Sequence, residues 1–200
     1  MVLLTLGALT YGGFYFGSKT KDVSKPQAGA TESTQNIITN IVTPKPTVSS
    51  QQLTTVSAGV PKSAGLSFDQ YSITFPENWK LEKTNQTMMD QKLTLSSNNY
   101  EINIFQGATG GALCLYAGDS EFEGPSSKYE TFVELTTKDN RLLRRSGDKN
   151  GIAFTICQKS GDGSFQQPTN YGHISVEMPA DFTPEILSEI DSIISSLKKI

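Results

Sequence analysis

Two cysteines, Cys114 and Cys157, are the residues of this 200-residue chain best placed to make a covalent feature. Cys114 alternates away from Leu113 and Leu115, and Cys157 away from Ile152, Phe154 and Ile156. With those aliphatics turned to a core, both thiols point to the opposite face of a sheet, and on neighbouring strands they reach bonding distance. The bond would close a loop of about 44 residues, contributing about 4 kcal/mol in the chain-entropy account. Two buried free thiols, acting as small hydrophobes, are the alternative. The expectation is a structural disulfide of a protein outside the cytosol, because no C-x-x-C spacing marks a redox pair.

The other chemistry-bearing residues point to no reaction. His173 is the only histidine, so no histidine cluster can hold a metal and any Ser/His/Asp arrangement must pass through it. On its strand it shares a face with Ser175 and Glu177, opposite Ile174, Val176 and Met178, which reads as a surface histidine. Asp119, Glu121 and Glu123 alternate around Phe122 but lack the glycine-punctuated spacing of a calcium loop, so they read as a solvated acidic edge. Gly107-Ala-Thr-Gly-Gly111 has the glycines of a phosphate cradle without a Lys-Ser/Thr ending, and Gly161-Asp-Gly-Ser164 is a turn signal. Arg141, Arg144 and Arg145 form a local basic cluster expected on a solvated strand edge. Asn85-Gln-Thr87 matches the glycosylation acceptor pattern of a lumenal eukaryotic domain. No catalytic, cofactor-binding or metal-binding residue is assigned.

The elements that must position these residues lie in the last two thirds of the chain. Tyr71, Ile73 and Phe75 alternate with polar residues, Pro76-Glu-Asn-Trp79 turns the chain, and Leu81 resumes the pattern. Lys92–Leu95 and Tyr100–Phe105 read as strands paired across Ser96-Ser-Asn-Asn99. Ala112–Ala117, Arg141–Arg145, Gly151–Gln158 and His173–Met178 read as further strands, with a hairpin signal at Gly147-Asp-Lys-Asn150. Connections this short exclude crossover helices, so the sheet should be mainly antiparallel. Thr183-Pro184 is an N-cap followed by proline at the first helical position, and Ile186, Leu187, Ile190, Ile193, Ile194 and Leu197 form one stripe. The spacing therefore predicts an α+β domain over 66–200, a mainly antiparallel sheet with a C-terminal amphipathic helix packed on one face.

Upstream, Val2–Phe16 is uncharged and apolar, with aromatics at its far end and Lys19 and Lys21 beyond. As a helix it spans about 24 Å, short of a typical hydrocarbon core. The rival reading, a signal peptide, lacks a positively charged n-region, and the positive-inside rule argues against the orientation proposed here. Residues 1–17 are expected to be a single membrane anchor. Residues 18–65, rich in Ser, Thr, Gln and Pro, are expected to be a flexible linker, because such composition buries too little apolar surface to offset ordering entropy. The net charge of −3 supplies no basic face for nucleic acid.

Tyr71-Ser-Ile-Thr-Phe-Pro-Glu-Asn-Trp79, together with a strand ending in Met178-Pro179 and a terminal helix closing on Ser195-Ser-Leu197, resembles PsbP/Mog-like domains over about 68–200. That resemblance implies an antiparallel sheet flanked by helices and a non-enzymatic binding role. The functional expectation is a membrane-tethered, extracytoplasmic binding or assembly module whose partner is another envelope protein. The alternative is a cell-envelope hydrolase or other enzyme. An enzyme would show convergent polar groups in a sizeable pocket, a binding module a shallow surface with an exposed aromatic patch.

Overall fold

A computed structural model describes residues 51–148 and 151–200. The expected anchor over 1–17 and the linker as far as residue 50 lie outside the described residues. Among the described residues no helix is long and apolar enough to cross a membrane.

Strand β1 (Leu53–Ala58) is followed by a 3-10 turn at Lys62–Ala64, then β2 (Tyr71–Pro76), β3 (Lys80–Thr84), β4 (Gln91–Ser97) and β5 (Tyr100–Gln106). Next come β6 (Ala112–Leu115), β7 (Ser126–Lys128), β8 (Thr131–Thr136), β9 (Leu142–Gly147) and β10 (Ala153–Lys159). Strands β11 (Phe165–Gln167) and β12 (His173–Glu177) precede the helix α1 (Pro184–Ser195), and β13 (Lys198–Lys199) closes the chain. A small sheet has the order β1-β2-β13. A ten-stranded sheet runs β3-β4-β5-β12-β10-β11-β6-β7, with β9 on β10 and β8 on β9. Every pairing is antiparallel except β6 with β7.

The alternation read from the sequence becomes two faces. Leu93 and Leu95, Ile102 and Ile104, Phe154 and Ile156, and Ile174 and Val176 turn to one side of the large sheet and are buried there. Tyr71, Ile73 and Phe75 of β2 and Ile190, Ile193 and Ile194 of α1 complete the same core. Burying one such aliphatic side chain stabilises by about 1.5–3 kcal/mol. The opposite face carries Thr94, Asn103, Ser175 and Thr155, which lie directly across from one another on β4, β5, β12 and β10. The β4–β5 hairpin turns through Asn98 at a positive φ of 53°, a conformation asparagine tolerates better than most residues. Gly172 at φ 119° brings the chain into β12 against the Phe105 carbonyl, where a Cβ would collide.

Thr183 stands at the helix N-cap with Pro184 behind it, but its hydroxyl makes no capping bond to the backbone and turns instead to the Glu185 carboxylate. The helix ends at Ser195, so Leu197 of the expected stripe lies beyond it. Ser196 then bridges both backbone groups of Thr74: its hydroxyl accepts from Thr74 N at 2.8 Å and donates to Thr74 O at 3.0 Å. Its side chain thereby extends the ladder that Lys198 and Lys199 make with Ser72 and Tyr71.

Two expectations are corrected. The folded unit begins before residue 66, because β1 pairs along its whole length with β2, from Leu53 opposite Pro76 to Ala58 opposite Tyr71. Its composition resembles that of the linker, and order comes from the neighbouring strand and from Val60, whose N–H donates to Gln106 Oε1 at 2.7 Å. The arginine cluster is likewise no solvated edge, because β8 and β10 flank β9 on either side. Arg145 is only 5% exposed, lies 4.5 Å from the Phe154 ring, and donates to both carboxylate oxygens of Asp191 on α1 at 2.6 and 3.1 Å.

Removing one partner of a buried ion pair leaves the other charge desolvated and unmatched. Asp191→Ala is therefore expected to destabilise the protein by about 3 kcal/mol, and replacing both residues by Met and Leu by much less, measured by urea unfolding. Ile190→Asp, which puts a charge into the core, should cost roughly 4 kcal/mol. An unchanged unfolding midpoint in that variant would show that α1 is not docked.

Candidate binding surface around the disulfide

Cys114 and Cys157 are bonded, with an S–S distance of 2.13 Å and Cα atoms 6.4 Å apart. They do not lie on paired strands as expected, because β11 intervenes between β6 and β10. Two strands on either side of a third are ordinarily about 10 Å apart, so the sheet must bend inward here to let the sulfurs meet. The bond sits on the face opposite the main core, inside a second cluster with Phe165, Tyr116, Tyr129 and Leu142.

Arg144 forms the centre of that cluster. Alternation puts it on the reverse side of β9 from Arg145, and β8 supplies Glu134 directly opposite it. Its Nε and Nη2 both donate to Glu134 Oε1, at 3.1 and 2.8 Å. The guanidinium carbon lies 3.8 Å from the Phe165 ring centroid, 3.9 Å from Phe132 and 4.6 Å from Tyr116. Tyr116 meets Phe132 and Phe165 edge-on, and its hydroxyl hydrogen-bonds Ser146 at 2.8 Å. Ser146 also faces the Cys157 sulfur at 3.6 Å. Burial pushes the Tyr116 phenol above its ordinary range, against the opposing pull of the Ser146 hydrogen bond and the Arg144 charge. The tyrosine therefore stays neutral at physiological pH and serves as ring and hydroxyl together. A cleft of about 360 Å³ opens beside the cluster, bordered by Cys114, Tyr116, Arg144, Lys159 and Phe165, and Phe132, which packs on Arg144 and Tyr116, remains 43% exposed.

The histidine and the glycine loop, read separately from the sequence, come together. The His173 Nε2 is 2.6 Å from the Thr109 hydroxyl, and the ring also bonds the Gly110 backbone. Burial lowers the His173 pKa, partly offset by that backbone bond, so the ring is a neutral peg for the 107–111 loop. The acidic residues do not converge. Asp119 Oδ2 accepts from Tyr116 N at 2.7 Å, Glu121 pairs with exposed Lys128 at 3.2 Å, and among the described residues no group of carboxylates, histidines and cysteines could hold a metal. Gly161–Ser164 is the expected turn, with Ser164 N and Oγ donating to Asp162 Oδ1. Asn85 lies in the exposed β3–β4 loop, which Asp90 holds by accepting from Gln86 N, Thr87 N and the Thr87 hydroxyl.

A second polar cluster has no counterpart in the sequence reading. Arg141 donates to Asp69 at 2.7 Å and lies 3.2 Å from Asp139, Lys199 reaches Asp69 at 2.7 Å, and Thr137 and the Tyr171 hydroxyl both donate to Asp139. Burial alone would raise both carboxyls. For Asp69, Lys199 and Arg141 outweigh it, and for Asp139, the Thr137 and Tyr171 hydrogen bonds do, so both sit below the usual carboxylate range. These pairs fasten the C-terminal strand to the sheet, while the buried Arg141 Nη1 has no hydrogen-bond partner among the described residues. One signal for it was available: Thr137-Lys-Asp-Asn140, between the apolar runs of β8 and β9, is a hairpin turn, with Asn140 at φ 63°.

Comparisons of the chain with protein-family models, with curated proteins and with solved structures find no match.

Two outcomes follow from this geometry. Depressed folded-state carboxyl pKa values add stability that is present above the unfolded value of about 3.9 and is lost as pH falls through the folded values. A double Asp69→Asn, Asp139→Asn variant should thus be less stable at pH 7 and lose less of its stability between about pH 4 and 2, as followed by circular dichroism. Cys157→Ser should lower stability by about 2–4 kcal/mol, and mass spectrometry of the unreduced wild type should find one linked peptide pair.

Proposed function

We propose that this chain is a membrane-tethered, extracytoplasmic binding or assembly module, and that it meets another envelope protein through the aromatic face around Arg144. The observation that carries this reading is the Phe132–Tyr116–Phe165–Arg144 cluster, partly exposed and braced from beneath by the Cys114–Cys157 bond. Aromatic residues and arginine are the side chains enriched at the energetic centres of protein interfaces. Rings packed on a disulfide and on an arginine fixed by Glu134 lose little further entropy when a partner covers them.

Placement outside the cytosol draws support from the disulfide, which persists in oxidising compartments. The tether is proposed from Val2–Phe16 and the Ser/Thr/Pro-rich segment after it. A PsbP/Mog-like affiliation belongs to the same proposal. It draws on β2 running into Pro76 and the buried Trp79, whose indole N–H donates to Glu189 at 2.6 Å, and on the strand–helix ending of the domain.

A photo-crosslinking residue in place of Phe132, in the full chain in intact cells of the source organism, should give one dominant adduct with a protein that is lost on Arg144→Ala. External protease should degrade the domain without lysis. Protection of the domain until lysis, or no adduct at Phe132, would overturn the compartment and the surface respectively.

A further inference from the structure

On the other side of the disulfide cluster, Tyr116 and Tyr129 open onto a cleft of about 600 Å³, with Asp119, Lys128 and Glu130 at its border. The two ring centroids are 6.1 Å apart and their planes are inclined by 35°. A cationic side chain lodged in the cleft that both rings line would come within about 6 Å of a ring centroid, the reach of cation–π attraction. Tyr116 already takes one cation in this way, since Arg144 stands 4.6 Å from its centroid. Tyr129 takes none among the described residues.

The charge around the cleft is mainly negative. Asp119 and Glu130 border it, and Glu121 and Glu123 stand in the loop between β6 and β7. The single base at the border, Lys128, is matched by Glu121 at 3.2 Å. Glu123 and Glu130 make no ion pair among the described residues. Among the described residues β7 ends the order of the large sheet and no strand pairs with its outer edge. An extended segment could pair along β7 by strand addition.

We infer that the Tyr116–Tyr129 cleft is a cation pocket that receives a lysine or arginine side chain from a basic, extended segment of the partner protein. The inference rests on the binding-module reading of the adjacent aromatic face. Two tyrosine rings and the carboxylates of Asp119 and Glu130 favour a cationic side chain and repel an acidic one, so the pocket would select partners by charge as well as by shape.

The full chain in its oxidised form, carrying fluorotyrosine, would be titrated with a penta-arginine peptide and separately with penta-glutamate. Saturable shifts at Tyr116 and Tyr129 with penta-arginine, absent at the buried Tyr71 and Tyr171 and absent with penta-glutamate, are expected. Glu130→Gln and Tyr129→Leu should each weaken the interaction by about tenfold, and added salt should weaken it in the wild type. Glu130 is exposed and makes no ion pair among the described residues, so Glu130→Gln keeps the test valid even where Tyr129→Leu fails to fold. Shifts that survive both variants, or no shift with penta-arginine, would overturn the pocket. A Phe132 adduct that persists in that case would leave the aromatic face standing, and loss of both would remove the binding surface too.

Discussion

Three arginines in one short stretch, placed where the sheet is covered on both sides, set the terms for the rest of the domain. A guanidinium cannot shed its charge at any accessible pH, so each one brought out of water has to meet carboxylates or ring faces in a fixed geometry. Arg145 meets Asp191 and so fixes how the helix lies on the sheet. Arg144, pointing the other way, meets Glu134 and three aromatic rings and gathers β6, β8 and β11 around itself. Arg141, at the entrance to the strand, meets Asp69 and Asp139 and draws in the C-terminal Lys199. The apolar core supplies most of the stabilisation, and the arginine pairings decide which arrangement of helix, hairpins and terminus that core adopts.

The two faces of the large sheet use different physics as a result. One is closed by α1 and the small sheet, through aliphatic packing that is non-directional and tolerant of detail. The other is open over most of its breadth, with a row of small polar side chains, and becomes structured only where β6, β7 and β11 bend round the disulfide. There the apolar content is mainly aromatic, the polar content is directional, and a covalent bond replaces the depth of packing that the site lacks. Phe132 stays partly exposed beside this cluster, the feature on which the proposed binding role rests. His173 and the 107–111 loop show the contrary case: a polar group that looks reactive in sequence is spent on holding a loop.

Periodicity and local stereochemistry in the sequence alone determined much of this protein. Alternation at β2, β4, β5, β10 and β12 identified strands and told which side of each would be buried, because the pleat makes side-chain direction a matter of parity. Proline after a capping residue marked where α1 begins, and short connections made the sheet antiparallel. On β10 the same parity put Cys157 on the face away from the core, opposite Phe154 and Ile156. These are consequences of residues near one another in the chain, and they needed no partner to be known.

Only the tertiary structure decided what lies next to what. Leu53–Ala58 has the composition of a linker and becomes a strand because β2 offers it an edge. The cysteines bond across an intervening strand because the sheet bends, which no pattern within β6 or β10 records. The arginines read as solvated, since a charge judged by its neighbours in sequence has only water for company. Their partners Asp69, Asp191 and Phe165 are brought to them by pairings that span much of the domain. Burial of a charge is decided by groups remote in sequence, whereas the direction of a side chain is decided by its own backbone, and that difference separates what was legible in this chain from what folding had to supply.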